Sequence, residues 1–570
     1  MRGDKFIKLI EEKFNILETT REHEEQLTIL VDRNDLPAVV KYIYYDIGAY
    51  LTSMIGNDER SINKNYALYY VLSVEGSKLP NDPIIPNEEK CFITVKTLIP
   101  PKEMTYPSVT PYVPACVWYE REVYDMFGLV AEGLPDKRRL MLSDDWPNDL
   151  FPLRKDAMDY RFRPEITNPE NEPEFTFNEP DGDLINIPLG PMHIRNEEPG
   201  HFRLFCDGDT IVDADYRLFY IHRGMEKLAE NRMNYDQMGF LAERICGICG
   251  YAHSIACIEA AERAGGIEIP QRAQALRIVC SEIERLHSLL LNIGLACEAT
   301  GNYTAFMHIF KIREYTMQLA QLVTGGRKTY GNVIIGGLRR DMTGNEIKQS
   351  LETLANIEIQ VNEIWDAIMD DKRQVKRWKG VGVLDQQIAR DFSPVGPNMR
   401  GSGIMRDYRI DHPYDFYKKI EFTPSIGEGG DVFARIYVRY QDLKSSIHII
   451  RQCFELMPSG NLSIKANVNI QAGKYAMGYV EAPRGDTTHW IMQGGSQKVY
   501  RWRARASTYA NWPSLRYQLR GNSVADAALI VCSLDPCFSC TERVIITDIK
   551  NKESKILTEK DLKAICRKKD

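Results

Sequence analysis

Apolar residues in the first 160 positions gather into short β-branched and aromatic runs at 27–31, 67–74 and 91–98, which predict strands. Residues 36–50 and 118–127 carry apolar positions at helical spacing and predict amphipathic helices. An N-terminal α/β domain over 1–160 follows. Periodicity is then lost over 161–190, where Pro, Asn, Asp and Glu crowd together (RPEITNPENEPEFTFNEPDGD). That composition predicts a linker or extended arm. From 191 a β-rich passage with a hairpin turn at Asp207 and Gly208 gives way to long helical patterns at 234–264, 270–299, 302–325, 344–373 and 431–456. In 270–299, Leu276, Val279, Ile283, Leu286 and Leu290 form a wide apolar face suited to a bundle core. Pro/Gly-rich loops interrupt at 392–403 and 480–487, and the charged last residues (NKESKILTEKDLKAICRKKD) predict an exposed tail. The fold class is α+β: an N-terminal α/β domain followed by a mainly α-helical bundle domain.

Composition narrows the function. A chain of 570 residues with 44% hydrophobic residues supports two or three domains with large cores. Charged residues are 26% of the chain and the net charge is −7, which gives no reason to expect nucleic acid or lipid headgroups as partners. The start lacks the apolar core of a secretory signal, and no run of about 18 uncharged apolar residues could span a bilayer. A cytosolic setting is expected, where the 13 cysteines would be thiols and any pairs among them would serve metal or redox chemistry.

Two such pairs occur, Cys246-Gly-Ile-Cys249 and Cys537-Phe-Ser-Cys540. Four thiolates fit zinc, iron–sulfur or nickel. One CxxC alone is a weak signal, and two unrelated pairs of buried thiols remain a competing reading. A zinc ribbon sets its pairs within about 20 residues of each other, whereas here about 290 residues separate them. Such a site would tie the start of a large helical domain to its end.

The flanks sharpen this. Arg244-Ile-Cys246-Gly-Ile-Cys249-Gly-Tyr-Ala-His253 and Asp535-Pro-Cys537-Phe-Ser-Cys540 resemble the two signatures of nickel–iron hydrogenase large subunits in order and spacing. The resemblance implies that Cys246, Cys249, Cys537 and Cys540 hold nickel. Cys246 and Cys537 would be terminal ligands, and Cys249 and Cys540 would bridge to an iron carrying cyanide and carbon monoxide. Soft thiolates suit nickel. By the same resemblance hydrogen would be split heterolytically, with Cys537 as first proton acceptor. Glu198-Pro199-Gly200-His201 resembles the relay-glutamate segment in its complex-I-related form, making Glu198 the relay candidate, with an ordinary exposed glutamate as the alternative. Glu481-Ala-Pro483-Arg484-Gly-Asp486 resembles the loop that places an arginine over the iron's diatomic ligands, with Pro483 walling the pocket and Asp535 pairing with Arg484. His253 would donate a hydrogen bond to a bridging sulfur, or be a satisfied core histidine; His287 has a weaker claim to a similar place. Arg223-Gly-Met-Glu226 resembles a segment that leads to magnesium in some hydrogenases, but Arg543 stands where those enzymes have a histidine, which puts magnesium in doubt.

The N-terminal region has its own resemblance. Trp118-Tyr-Glu120-Arg121-Glu122-Val-Tyr-Asp125-Met126-Phe127-Gly128 and Pro152-Leu-Arg-Lys-Asp156 are similar to the complex I subunit of the 30 kDa type, fused here to a partner of the 49 kDa type. Taken alone, the alternating charges of 118–127 read as a solvated helix face. Gly56-Asn-Asp58-Glu59-Arg60 and Tyr106-Pro-Ser-Val-Thr-Pro111 agree with the formate-linked, membrane-associated branch of the family. The implied domains are 1–160, a linker 161–190, a hydrogenase large-subunit domain 191–543, and a propeptide 544–570 removed by a maturation protease after nickel insertion by dedicated proteins. The implied partners are an iron–sulfur small subunit holding the 4Fe-4S clusters, ferredoxin-like and antiporter-like membrane subunits, and formate dehydrogenase. These would attach the chain peripherally to the cytoplasmic face of the inner membrane. The rivals are a complex-I-type electron-transfer or quinone subunit without hydrogen chemistry, and a structural metal-binding scaffold.

Overall fold

The computed structural model describes residues 2–76, 78–79, 85–143, 146–157, 176–190, 199–220, 222–465, 471–495 and 497–537, with the backbone alone at 546–548 and 553–555. Five strands build the N-terminal sheet: β1 (Glu18–His23), β2 (Gln26–Leu30), β3 (Ala49–Glu59), β4 (Asn65–Val74) and β5 (Cys91–Ile99), in the order β1-β2-β5-β4-β3. Only the β2–β5 pair is parallel. The predicted strands are present, but the helix predicted over 36–50 is shorter. It covers Leu36–Lys41, passes through one wide turn, and yields to β3 at Ala49. All eleven residues of β3 are buried. A strand covered on both faces shows no alternation, and its polar end Asn57-Asp58-Glu59 reads as loop.

Helix α1 (Val117–Phe127) forms where predicted, yet the solvated face is overturned: Glu120, Arg121, Glu122 and Asp125 are all buried. Glu120 accepts from Tyr70, Ser108, Thr110 and the Val109 N–H. Asp125 Oδ2 accepts the backbone N–H groups of Leu140, Met141 and Leu142. Buried polar groups persist because each is met by donors or acceptors.

The arm predicted over 161–190 lies partly outside the described residues, and its end is not structureless. Strand β6 (Ile185–Leu189) pairs with β7 (His201–Asp207), which pairs with β8 (Thr210–Arg217) across a turn at Gly208, φ 59°. The helix predicted over 234–264 is two helices, Tyr235–Glu243 and α2 (Gly250–Gly265), parted by the loop that carries Cys246 and Cys249. Then follow α3 (Gln271–Ala299), α4 (Tyr303–Thr324), α5 (Gly344–Asp370) and α6 (Val432–Leu456), close to prediction. No described helix is long and apolar enough to cross a membrane.

A second sheet in the large region has no counterpart in the predicted pattern. Strands β9 (Tyr475–Ala482), β10 (Gly485–Gly495) and β11 (Lys498–Arg505) form a meander, and helix α2 packs on one face of it. Strand β11 serves two directions. Arg501, Arg503 and Arg505, alternating along it, donate from Nε to the carbonyls of Gly56 (2.9 Å), Met54 (3.4 Å) and Thr52 (2.7 Å) on β3. Three guanidinium groups thus cap the free edge of the N-terminal sheet as a neighbouring strand would. One apolar core runs from Phe6 to Cys537 through both halves.

Candidate metal centre

The first cysteine pair sits in the loop that opens α2. Cys249 is the residue before the helix, and the backbone N–H groups of Ile248 and Cys249 donate to Cys246 Sγ (3.3 Å each). Such donors, with the positive end of the helix, favour the thiolate. Tyr330 holds the loop from the other side, its hydroxyl donating to the Cys246 carbonyl (2.6 Å). The second pair begins after the last helix, α7 (Ala527–Leu534), whose C-terminal residue Asp535 adopts the left-handed conformation (φ 59°) that aspartate tolerates. The chain reverses there and brings Cys537 back into the centre. Its N–H donates to Thr508 Oγ1 (3.3 Å).

Cys246 Sγ and Cys537 Sγ end 2.9 Å apart. That is too long for a disulfide, at about 2.05 Å, and close enough for both sulfurs to address one ion. Cys246, Cys249 and Cys537 are all buried. Among the described residues no set of three histidine, cysteine or acidic side chains closes to metal-ligating spacing; Cys540, Glu198 and Arg543 lie outside the described residues.

Arg484 stands over the cysteines at the tip of the β9–β10 hairpin. Ala482 pairs with Gly485, so Pro483 and Arg484 are the two turn residues. Proline presets the first turn position, and Gly485, at φ 121°, takes the next step because Val395 and Gly396 press against it. Pro483 is buried. Arg484 donates to both the side chain and the carbonyl of Asp535 (2.8 Å each) and to Ser288 Oγ (3.2 Å). Burial opposes its charge, but Asp535 and then Cys537, Cys249 and Cys246 outweigh it and hold the guanidinium well above its ordinary pKa. Arg439, fully buried, lies 3.9 Å from the other Asp535 oxygen. Beneath the turn Glu481 faces Asp486 across the ladder. Burial, with Asp407 and Asp486 nearby, pushes the Glu481 carboxyl well up, while Asp486 is ionically paired with Arg406 (3.1 Å) and Arg505. Arg406 is held in turn by Glu75, just past the end of β4 (3.1 Å).

Around this centre the structure places Glu284, which no motif marked, beside others that the motifs did. Glu284 on α3 accepts the N–H groups of Tyr251 (2.8 Å) and Ala252 (2.9 Å) at the start of α2, and burial pushes its carboxyl up to about 8. His253, expected beside a bridging sulfur, uses Nδ1 to meet His489 Nε2 (2.9 Å) and has no partner at Nε2 among the described residues. His287 is buried with Nδ1 unpartnered, its pKa well below the ordinary value through burial and the nearby cations Lys328, Arg313 and Arg484. Glu226, on the magnesium-type segment, has its carboxylate engaged by Arg501 (2.6 Å) and Arg503 (3.2 Å).

The thiols of this centre come from the start and the end of the large helical region. Among family models, that of nickel-dependent hydrogenase matches residues 223–293. The models of the 30 and 49 kDa subunits of respiratory-chain NADH dehydrogenase match 29–161, and 299–477 with 462–543. The chain belongs to the family of complex-I-related hydrogenase large subunits. It is 48% identical to formate hydrogenlyase subunit 5 of Escherichia coli (strain K12), covering 98% of this chain and 97% of that protein. Hydrogenase-4 component G of the same organism is 47% identical (98% and 96%). The carbon monoxide-induced hydrogenase of Rhodospirillum rubrum is 35% identical (63% and 99%).

Proposed function

We propose that the chain is the catalytic subunit of a nickel–iron hydrogenase that interconverts protons and electrons with H2, in the direction of H2 evolution coupled to formate oxidation. The supporting observation is the meeting of Cys246 and Cys537 at 2.9 Å beneath the Arg484–Asp535 pair. Buried thiols, loop N–H groups aimed at Cys246 Sγ and an unpartnered His253 Nε2 suit an anionic thiolate-bound nickel–iron group. Cys246, Cys249, Cys537 and Cys540 would hold it, and when bound it supplies the centre at which H2 is cleaved heterolytically. Cys537 takes the first proton at Sγ, and Glu198 carries it onward. Arg484, always charged and multiply donating, fixes small acceptor ligands above the thiolates. Pro483 keeps that edge dry. Gly247 is exposed beside buried Cys246, so the centre sits close enough to the surface for an iron–sulfur partner subunit to take its electrons.

Formate coupling, ferredoxin-like and antiporter-like membrane partners, formate dehydrogenase, and peripheral attachment to the inner membrane come from the family resemblance and remain part of the proposal. So do proteolytic removal of 544–570 and the division into 1–160, 161–190 and 191–543. A second reading, a complex-I-type electron-transfer subunit without hydrogen chemistry, is favoured by the 30 and 49 kDa models, which together match most of the chain. Metal analysis with infrared spectroscopy of the purified complex separates them. Nickel and iron with cyanide and carbon monoxide bands are expected; a metal-free chain that turns over quinone would replace the hydrogenase reading, and zinc alone would point to a scaffold.

A further inference from the structure

Helix α2 and the β9–β11 sheet approach unusually closely. A Cβ on Gly478 would stand 2.1 Å from the Ala256 carbonyl oxygen and 2.5 Å from the Ala260 nitrogen, so only glycine fits there. Gly478 pairs with His489 on the neighbouring strand. The helix therefore crosses the sheet at His489, and His253, just ahead of the crossing, reaches its ring. Strand β11 completes the row: Trp502 is the diagonal neighbour of His489 on the same sheet face. All three side chains are buried.

The hydrogen bonds between them run one way. An indole N–H can only donate, and Trp502 Nε1 lies 3.1 Å from His489 Nδ1. His489 Nδ1 is thus an acceptor. The ring is fully buried and flanked by Arg503, Arg505 and His253, surroundings that exclude a second proton. Its proton is therefore on Nε2, which donates to His253 Nδ1 at 2.9 Å. His253 accepts at Nδ1, so its own ring proton is on Nε2. That nitrogen has no acceptor among the described residues. Its residue stands one helical turn after Cys249, whose carbonyl accepts the His253 backbone N–H, and so shares the face of α2 that begins with Cys249.

We infer that Trp502 and His489 are positioning residues that fix the tautomer of His253, so that its Nε2–H is permanently presented as a donor to the thiolate side of the metal centre. This rests on the proposed nickel–iron function for its purpose, while the tautomer itself does not depend on metal. A single indole proton, distant from the cysteines, thereby sets the polarity of the hydrogen bond reaching them. No proton moves; the chain orders three rings.

Two measurements test it. In the full chain prepared without nickel and labelled with 15N-histidine, ten histidines give a tractable ring spectrum. His253 and His489 are expected as Nε2–H tautomers, and Trp502→Phe is expected to convert both to mixtures. In the nickel-loaded complex the same variant should move the carbon monoxide and cyanide bands to lower wavenumber, because a thiolate that loses its donor feeds more charge to the iron. His489→Gln, which keeps an N–H at the Nε2 position, should restore bands close to the wild type, whereas His489→Leu should shift them as Trp502→Phe does. That pair serves equally if Trp502→Phe does not fold. A wild-type His253 protonated on Nδ1, or bands indifferent to both Trp502→Phe and His489→Leu, overturns the inference. Wild-type protein with no such bands would instead defeat the nickel–iron reading and leave the ring spectrum to judge the tautomer.

Discussion

Cys537 carries the strongest expectation among single residues, because it joins the C-terminal turn to the loop of Cys246. Cys537→Ser replaces a soft ligand with a hard one and is expected to abolish nickel retention and hydrogen turnover while the circular dichroism of the chain is unchanged; a nickel-replete serine variant would refute its role. Arg484→Lys keeps the charge but loses the fork that spans Asp535 and Ser288. By analogy with the loss of one preorganised donor, turnover should fall by about 100-fold, and unchanged kcat would show that charge alone suffices. Glu284 gives a pH signature. Its folded pKa, about 8, lies above the ordinary carboxylate value, so the folded chain holds a proton that the unfolded chain releases. Stability should therefore fall as pH rises from the ordinary carboxylate range to about 8 and level off beyond it. Glu284→Gln should flatten that slope in denaturation curves of the nickel-free chain; an unaltered slope assigns it to another group.

At the scale of elements, close approach and hydrogen-bonded buried charge do the work that amphipathic faces do elsewhere. Gly478→Ala places a methyl group on the backbone of α2 and should cost roughly 1–3 kcal/mol, read by chemical denaturation. It should also disturb the 15N resonances of His253. Helix α1 is held by carboxylates rather than by an apolar stripe alone. Asp125→Ala strands three buried N–H groups of 140–142, so a loss of roughly 3 kcal/mol or more is expected; a change within about 0.5 kcal/mol would mean that the 140–142 turn finds other acceptors.

The two halves of the molecule are joined by charge as well as by a common core. Arg501, Arg503 and Arg505 cap β3, Arg503 pairs with Glu122 of α1 (2.7 Å), and Glu75 reaches Arg406 behind the Arg484 hairpin. The N-terminal region is thus part of the scaffold that holds the Arg484 turn. Residues 191–543 produced alone should expose the buried arginines of β11 and fail to give a monodisperse, cooperatively unfolding species. A soluble, cooperatively folded fragment would show the halves to be independent.

Much of this was legible from residue order. The long helices α3 to α6 follow from apolar spacing; α4 and α5 keep an exposed face, whereas α3 is buried almost all round. Short motifs singled out the four cysteines, Arg484 and Asp535 as candidates, because the chemistry proposed for them requires particular atoms at particular spacings; of these, the structure brings Cys246, Cys537, Arg484 and Asp535 together. Strand β3 and the β9–β11 sheet were not, since strands covered on both faces lose the period-two signal. The charged face of α1 misled for the related reason that pattern records polarity and not whether a partner will meet it. Glu284, His489 and Trp502 lie in no motif: their roles exist only where distant segments touch. The sequence alone determined which ligands are available and which segments coil into helices. Tertiary structure decided that Cys246 and Cys537 meet at 2.9 Å and that a glycine lets α2 reach the sheet, because contacts between residues far apart in the chain are set by packing, and packing leaves no periodic trace in the sequence.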